Sequence, residues 1–261
     1  MRAEQLVREG NLQDALQDLK EQVRQQPDNS RYRTFLFQLL AVVGDWERAL
    51  NQLNVLSDLD VATVPMLHIY REAIRCESLR REIFAGLRKP LLLGEPPGWV
   101  ATLLESVRLL GEGQYPPALS LRNEAFEQAP ESSGTIDGQP FKWIADADSR
   151  LGPIMEVILS AKYYWVPFQQ INIVTIREPK DLRDKVWLPA QFTWRNGGHA
   201  HGLIPARYAG SENSQDPMIQ LARKTDWISL ADGLFQGLGQ KMLTTDREEY
   251  PLLDIRQILM E

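Results

Sequence analysis

Three groups of side chains in this chain could carry chemistry, and each also has a plainer structural role. The densest lies in GTIDGQPFKWIADADSRLGP at 134–153, where Asp137, Asp146 and Asp148 gather with Arg150. Paired carboxylates can act as general acid and base in a hydrolysis. The same residues suit turns and caps. Asp137-Gly138 reads as a turn, Asp148 or Ser149 as the cap of a following helix, and Arg150 as a lock pairing with Asp146. The group is therefore read as a structural polar cluster. A hydrolase using Asp146 and Asp148 is the alternative, and it requires those carboxylates to line an open cleft.

His199-Ala200-His201 sets two imidazoles on one face of a strand, which is half a metal site. The chain has only three histidines and no nearby spacing supplies another ligand, so no metal is expected. Cys76 is the one cysteine; it sits in helical sequence without a paired His and reads as a buried, inert thiol. GxxxxGK followed by Ser or Thr, GxGxxG, HExxH and GxSxG are all missing. We expect no catalytic residues and no cofactor.

The elements that position these groups begin with a repeat. Gly10-Asn11-Leu12-Gln13-Asp14-Ala15-Leu16 lines up with Gly44-Asp45-Trp46-Glu47-Arg48-Ala49-Leu50 at an offset of 34 residues. Gly113-Gln114-Tyr115-Pro116-Pro117-Ala118-Leu119 gives a third, shifted copy. Glycine releases the chain from one helix, the large apolar residue packs back, and the small Ala permits close helix contact. The pattern is that of a tetratricopeptide repeat. Periodic segments at 65–86 and 96–113 bring the total to six or seven helices over residues 1–130. Three repeats are near the minimum for a continuous core, so the array is expected to lean on the C-terminal half of the chain.

Stacked helix pairs leave a hollow suited to a peptide or helix. Tyr32, Phe35 and Gln38, on a helix from Ser30 to Val43, are candidate partner contacts there, with Arg71 and Arg75 one turn apart on a later helix. The apolar members also suit a core. The run Arg71, Arg75, Arg80, Arg81, alternating with Glu72, Glu77 and Glu82, suits a solvated, ion-paired face.

After Pro130 the character changes, with Ser132-Ser133-Gly134 as a linker and five of the seven tryptophans beyond it. Strands are expected at Tyr163–Phe168, Ile171–Arg177, Val186–Trp194 and His199–Tyr208, with Asn196-Gly197-Gly198 turning a hairpin between the last two. Shorter strands are expected at Ile228–Leu230 and Leu252–Ile258, and helices at Asp148–Lys162 and Asp216–Lys224. The chain thus reads as multidomain α and α+β. A repeat array over 1–131 precedes a Trp-rich α+β domain over 132–261, with a small mixed or antiparallel sheet.

The net charge is −6, and residues 1–131 carry 15 Lys+Arg against 19 Asp+Glu. Neither part is basic, which argues against a nucleic-acid partner. The first 30 residues hold charges throughout, and no apolar run reaches membrane-spanning length, so a soluble cytoplasmic protein is expected.

Several stretches together resemble the ImpE family, also called TagJ or SciE. They are FLFQLLAVVGDWERALNQL (35–53), YREAIRCESLRREIFAG (70–86), the 134–153 block, YYWVPF (163–168), FTWRNGG with GLIPARY (192–208), and LGQKMLTTDREEYPLLDIRQI (238–258). The resemblance implies an accessory protein of bacterial type VI secretion, not known as an enzyme. It implies association with the small subunit of the contractile sheath and with the AAA+ ATPase that recycles contracted sheath. A non-enzymatic adaptor is the leading expectation; a purely structural, oligomerising protein is a further alternative, and the oligomeric state is open.

Overall fold

A computed structural model describes all 261 residues. Helices α1 (Arg2–Glu9), α2 (Leu12–Gln25), α3 (Ser30–Val42), α4 (Trp46–Leu59), α5 (Val64–Phe84), α6 (Gly98–Gly111) and α7 (Tyr115–Gln128) form the first half. A two-residue strand, β1 (Leu91–Leu92), lies between α5 and α6. Gly10, Gly44 and Gly113 come after α1, α3 and α6 with φ of 86°, 72° and 74°, the left-handed conformation that lets a helix stop and its neighbour fold back. Asp45 then caps α4 by accepting the Arg48 N–H. No helix is long and apolar enough to cross a membrane.

The second half is built from β2 (Gly134–Ile136), β3 (Gln139–Phe141), β4 (Ile144–Asp146), β5 (Ile154–Leu159), β6 (Lys162–Pro167), β7 (Ile171–Ile176), β8 (Trp187–Trp194) and β9 (His199–Pro205). A one-turn helix α8 (Pro217–Gln220) leads to β10 (Thr225–Ala231), β11 (Leu234–Gly239), β12 (Met242–Thr245), β13 (Glu249–Pro251) and β14 (Gln257–Met260). A nine-stranded sheet runs β1-β6-β5-β9-β8-β7-β14-β2-β3, beside a three-stranded sheet β13-β12-β4 and the hairpin β10-β11. Every pairing is antiparallel except β1 with β6, so the helical half itself supplies one edge strand.

The α+β character holds, and the expected hairpin joins β8 to β9. The helix expected at Asp148–Lys162 is instead β5, a turn, and the start of β6. Leu151, Ile154 and Ile158 do fall at helical spacing, but the run IMEVIL is buried at every position, the pattern of a strand covered on both faces. Gly152-Pro153 separates it from the Asp148 turn. The helix expected at Asp216–Lys224 shrinks to one turn, capped by Asp216 onto the Met218 N–H. Leu252–Ile258 is a 3-10 turn leading into β14 rather than a single strand.

Side-chain alternation across β5 divides two cores. Ile154 and Ile158 join a cluster of 34 buried residues reaching from α1 to Leu221, whereas Met155, Val157 and Leu159 join one of 24 residues wholly within the second half. Trp165, Trp187 and Tyr163 belong to the first cluster and are fully buried against the helices. One core therefore spans both halves.

Candidate functional site

The hollow of the array is filled by the chain's own second half. Gln38 is buried, and its Oε1 accepts the Leu182 N–H at 3.1 Å. The Trp187 ring sits 5.8 Å from Trp46 and 5.7 Å from Tyr70, while its indole N–H donates to Glu77 at 2.9 Å. Arg183 lies over the Tyr70 ring at 5.0 Å, and Arg207 donates to the Val42 carbonyl at 2.7 Å. Gln38 is therefore an internal contact, which corrects its assignment as a partner residue: the inner helices share one buried core with the sheet, and a buried amide there is held by the chain's own backbone. Tyr32 and Phe35 are half-buried on α3, and Phe35 packs on the core. Arg71 donates to Asn54 at 3.0 Å, and Arg75 pairs with Glu72 at 2.7 Å.

The α5 charge run is not a uniformly solvated face. Glu77 and Arg80 are buried, and Arg80 grips Glu156 of β5 through Nε–Oε1 at 2.5 Å and Nη2–Oε2 at 3.0 Å. Lys241 Nζ lies 2.6 Å from Glu156 Oε2, the oxygen that also accepts from Arg80 Nη2, and 2.5 Å from Asp146. Tyr163 donates its hydroxyl to Glu156 and accepts the Trp165 indole N–H at 2.7 Å. Burial pushes the Glu156 carboxyl upward, but Arg80 and Lys241 together hold it well below the usual range. For Asp146 burial wins over the pull of Lys241, aided by Asp148, and its pKa is raised to about 6.

Arg150 pairs with Asp148, at 2.6 and 2.9 Å, and not with Asp146. Asp148 also accepts the N–H groups of Arg150 and Gly237, both at 2.9 Å. Asp146 takes the Asp148 N–H at 3.0 Å. Asp137 begins the β2–β3 turn with φ 48° and accepts backbone N–H groups of Arg256 and Gln257. The acidic block is thus spent on ion pairs and amides. Asp146 and Asp148 are 4% and 0% exposed, so neither faces a cleft in which a substrate could sit.

Beside this sealed seam lies an open groove of about 660 Å³ between α5, the β5–β6 turn, β8 and β9. His68, Ile69 and Glu72 form one wall; Gln191, His201 and Leu203 form the other, with Arg177 at its margin. Ile69 is 52% exposed, unusual for an isoleucine on a helix packed against a sheet. Gly202 forms part of the floor, where a Cβ would meet Leu159 Cδ2 at 2.6 Å and the Ile158 carbonyl at 2.7 Å. Arg75 borders the groove through its pair with Glu72. His199 and His201 lie on one strand face as expected, and His199 Nδ1 is 3.0 Å from Thr193 Oγ1. No three His, Cys, Asp or Glu side chains cluster closely enough to share an ion. Cys76 is buried, and burial pushes its thiol up to about 12. The groove is not legible in the sequence because its residues come from α5 and from strands that begin more than eighty positions later, and no local spacing links them.

A helical-repeat scaffold locked onto a β-rich domain, with its carboxylates sealed and an apolar groove open, defines the class of protein. A tetratricopeptide-repeat model matches residues 6–68, and the ImpE protein model matches residues 138–259. Over 261 residues the chain is 48% identical to the type VI secretion system accessory component TagJ of Pseudomonas aeruginosa, covering all of this chain and 92% of that protein. The crystal structure of protein VPA1032 from Vibrio parahaemolyticus matches with a TM-score of 0.89 at 26% identity, covering 100% of this chain and 98% of that one. This chain belongs to the ImpE family, the family of TagJ.

Proposed function

We propose that this chain is a non-enzymatic, cytoplasmic adaptor of a type VI secretion system that binds the small contractile-sheath subunit and links the sheath to its recycling AAA+ ATPase. The observation that carries the reading is the groove between α5 and the sheet, where exposed Ile69 shares the lining with Leu203, Arg177, His68 and His201. Such a lining fits an amphipathic helix with an apolar stripe and a carboxylate at its edge. The filled hollow moves the contact from Gln38 to this groove, with Arg75 and Arg71 on the flanking helix as rim contacts and Tyr32 and Phe35 as packing residues of α3. The relative's description as an accessory component, together with a repeat array that elsewhere serves protein contacts, supports an interaction role over catalysis.

Titration of the full chain with the purified sheath subunit tests this. Ile69→Glu and Arg177→Glu are expected to weaken binding about tenfold or more, as loss of an anchor does, whereas Arg24→Glu, at an exposed position of α2, leaves it unchanged. Equal binding by folded groove variants would remove the groove from the reading. No binding by the wild-type chain would remove the sheath partner.

A further inference from the structure

Lys241 sits between two carboxylates that their surroundings drive in opposite directions. Its Nζ lies 2.5 Å from Asp146 Oδ2 and 2.6 Å from Glu156 Oε2. The three residues are enclosed, with Lys241, Asp146 and Glu156 at 2%, 4% and 1% exposed, and the Tyr208 ring walls the amine at 4.7 Å. The Arg80 fork and the Tyr163 hydroxyl keep Glu156 ionised, so it can take a proton but makes a poor acyl donor. Asp146 has Lys241 as its one cation, and burial favours its acid form, with the pKa raised to about 6. Its Oδ1 already accepts the Asp148 N–H at 3.0 Å, a donor placed where an oxyanion would form. An amine, a carboxylic acid and a proton carrier share one dry site.

We propose that this site closes an amide between Lys241 Nζ and Asp146 Cγ, with Glu156 as the proton carrier. The ammonium first gives one proton to Asp146 Oδ2, which turns the ion pair into a neutral amine and acid. The Nζ lone pair then attacks Cγ, and the C=O electrons move onto Oδ1 beside the Asp148 N–H. Glu156 removes a second proton from Nζ and returns it to Oδ2 as the Cγ–Oδ2 bond breaks. One water leaves, Oδ1 regains its double bond, and Glu156 is again a carboxylate. Neither oxidant nor cofactor is consumed. The bond removes two buried charges whose desolvation is costly, and exclusion of water opposes its hydrolysis. It ties β4 to the segment just before β12, joining residues 95 apart, which restricts the unfolded chain. Only the neutral pair reacts, so closure is slow and the freshly folded chain holds the ion pair, in which Asp146 still titrates.

Intact-mass spectrometry of the full chain, incubated for several days near neutral pH, reads this out. The wild type is expected to lose one water, and its tryptic digest to hold a branched peptide joining 143–150 to 225–247. Lys241→Arg and Asp146→Ala should keep their full mass. Glu156→Gln is expected to slow closure about a hundredfold, with its fold checked by circular dichroism. Asp137-Gly138 and Asp232-Gly233 can also lose water by closing a succinimide, so the branched peptide is the deciding product. An unchanged wild-type mass overturns the proposal, as does a water loss confined to those two Asp-Gly sites. A folded Glu156→Gln chain that closes at the wild-type rate overturns it as well.

Discussion

Arg80 and Glu156, 76 residues apart in the chain, meet through two parallel hydrogen bonds across the junction between the helical array and the sheet. Both are almost wholly enclosed, at 3% and 1% exposed, and Lys241 adds a second cation at Glu156 Oε2. A pair so placed fixes orientation as much as it adds stability, because its two planar groups accept one geometry only.

Breaking that pair from one side should be costly. Arg80→Met leaves Glu156 buried with only Lys241 and Tyr163 to satisfy it, and about 3–5 kcal/mol of stability should be lost. The double variant Arg80→Met with Glu156→Leu should recover part of it, since Glu156 no longer lacks its cation, while buried Glu77 still loses Arg80 at 3.4 Å and keeps the Trp187 indole N–H. Urea denaturation of the two variants checks this; equal losses would mean the pair is held by packing alone.

Asp146 gives a pH dependence of definite sign. Its folded pKa, about 6, stands above the ordinary aspartate value of 3.8, so its contribution is fully present below about 3.8 and lost as pH rises through 6. Glu156, held below its ordinary value, contributes the other way, with stability lost only in stronger acid. Asp146→Asn should therefore become more stable relative to the wild type between pH 4 and pH 7, by roughly 2–3 kcal/mol. Denaturation midpoints across that range decide it, and a pH-independent difference would refute the assignment.

The β5–β6 turn is built from Ser160 and Ala161, with φ of 46° and 67°. Left-handed conformations cost an L-residue roughly 1 kcal/mol each, and a two-residue hairpin of this kind favours Asn-Gly. Ser160→Asn with Ala161→Gly should raise the melting temperature by several degrees. Because Ser160 and Ala161 also line the groove, partner affinity should be measured alongside.

Residues 1–131 expressed alone should not hold the native array. Tyr70, Leu36 and Ala41 share a core with Trp187, Trp165 and Ile154, and Arg80 and Glu77 would lose Glu156 and the Trp187 indole. The isolated segment should keep helical circular dichroism but exchange its α3 and α5 amides rapidly. Protection equal to that in the full chain would make the array an independent domain.

Several features are legible in the residues. Glycine at 10, 44 and 113 with a large apolar residue and alanine after it announces helix pairs, and Asn196-Gly197-Gly198 announces a hairpin. IMEVIL misleads because a strand buried on both faces has no alternation, and Leu151, Ile154 and Ile158 match a helix by coincidence of spacing. Ser160-Ala161 hides a tight turn because neither residue favours the positive φ that the turn requires. Local spacing points Arg150 to the wrong aspartate because the cation that claims Asp146, Lys241, is 95 residues distant.

Periodicity, turn chemistry and composition act over a few residues, so the chain alone determined the helical repeats, the α+β second half and the family likeness. Which face of the array stays open depends on the apolar area that the two halves bury against each other, and that sum exists only in the folded chain. The filled hollow, the sealed carboxylates and the groove beside α5 are all consequences of it.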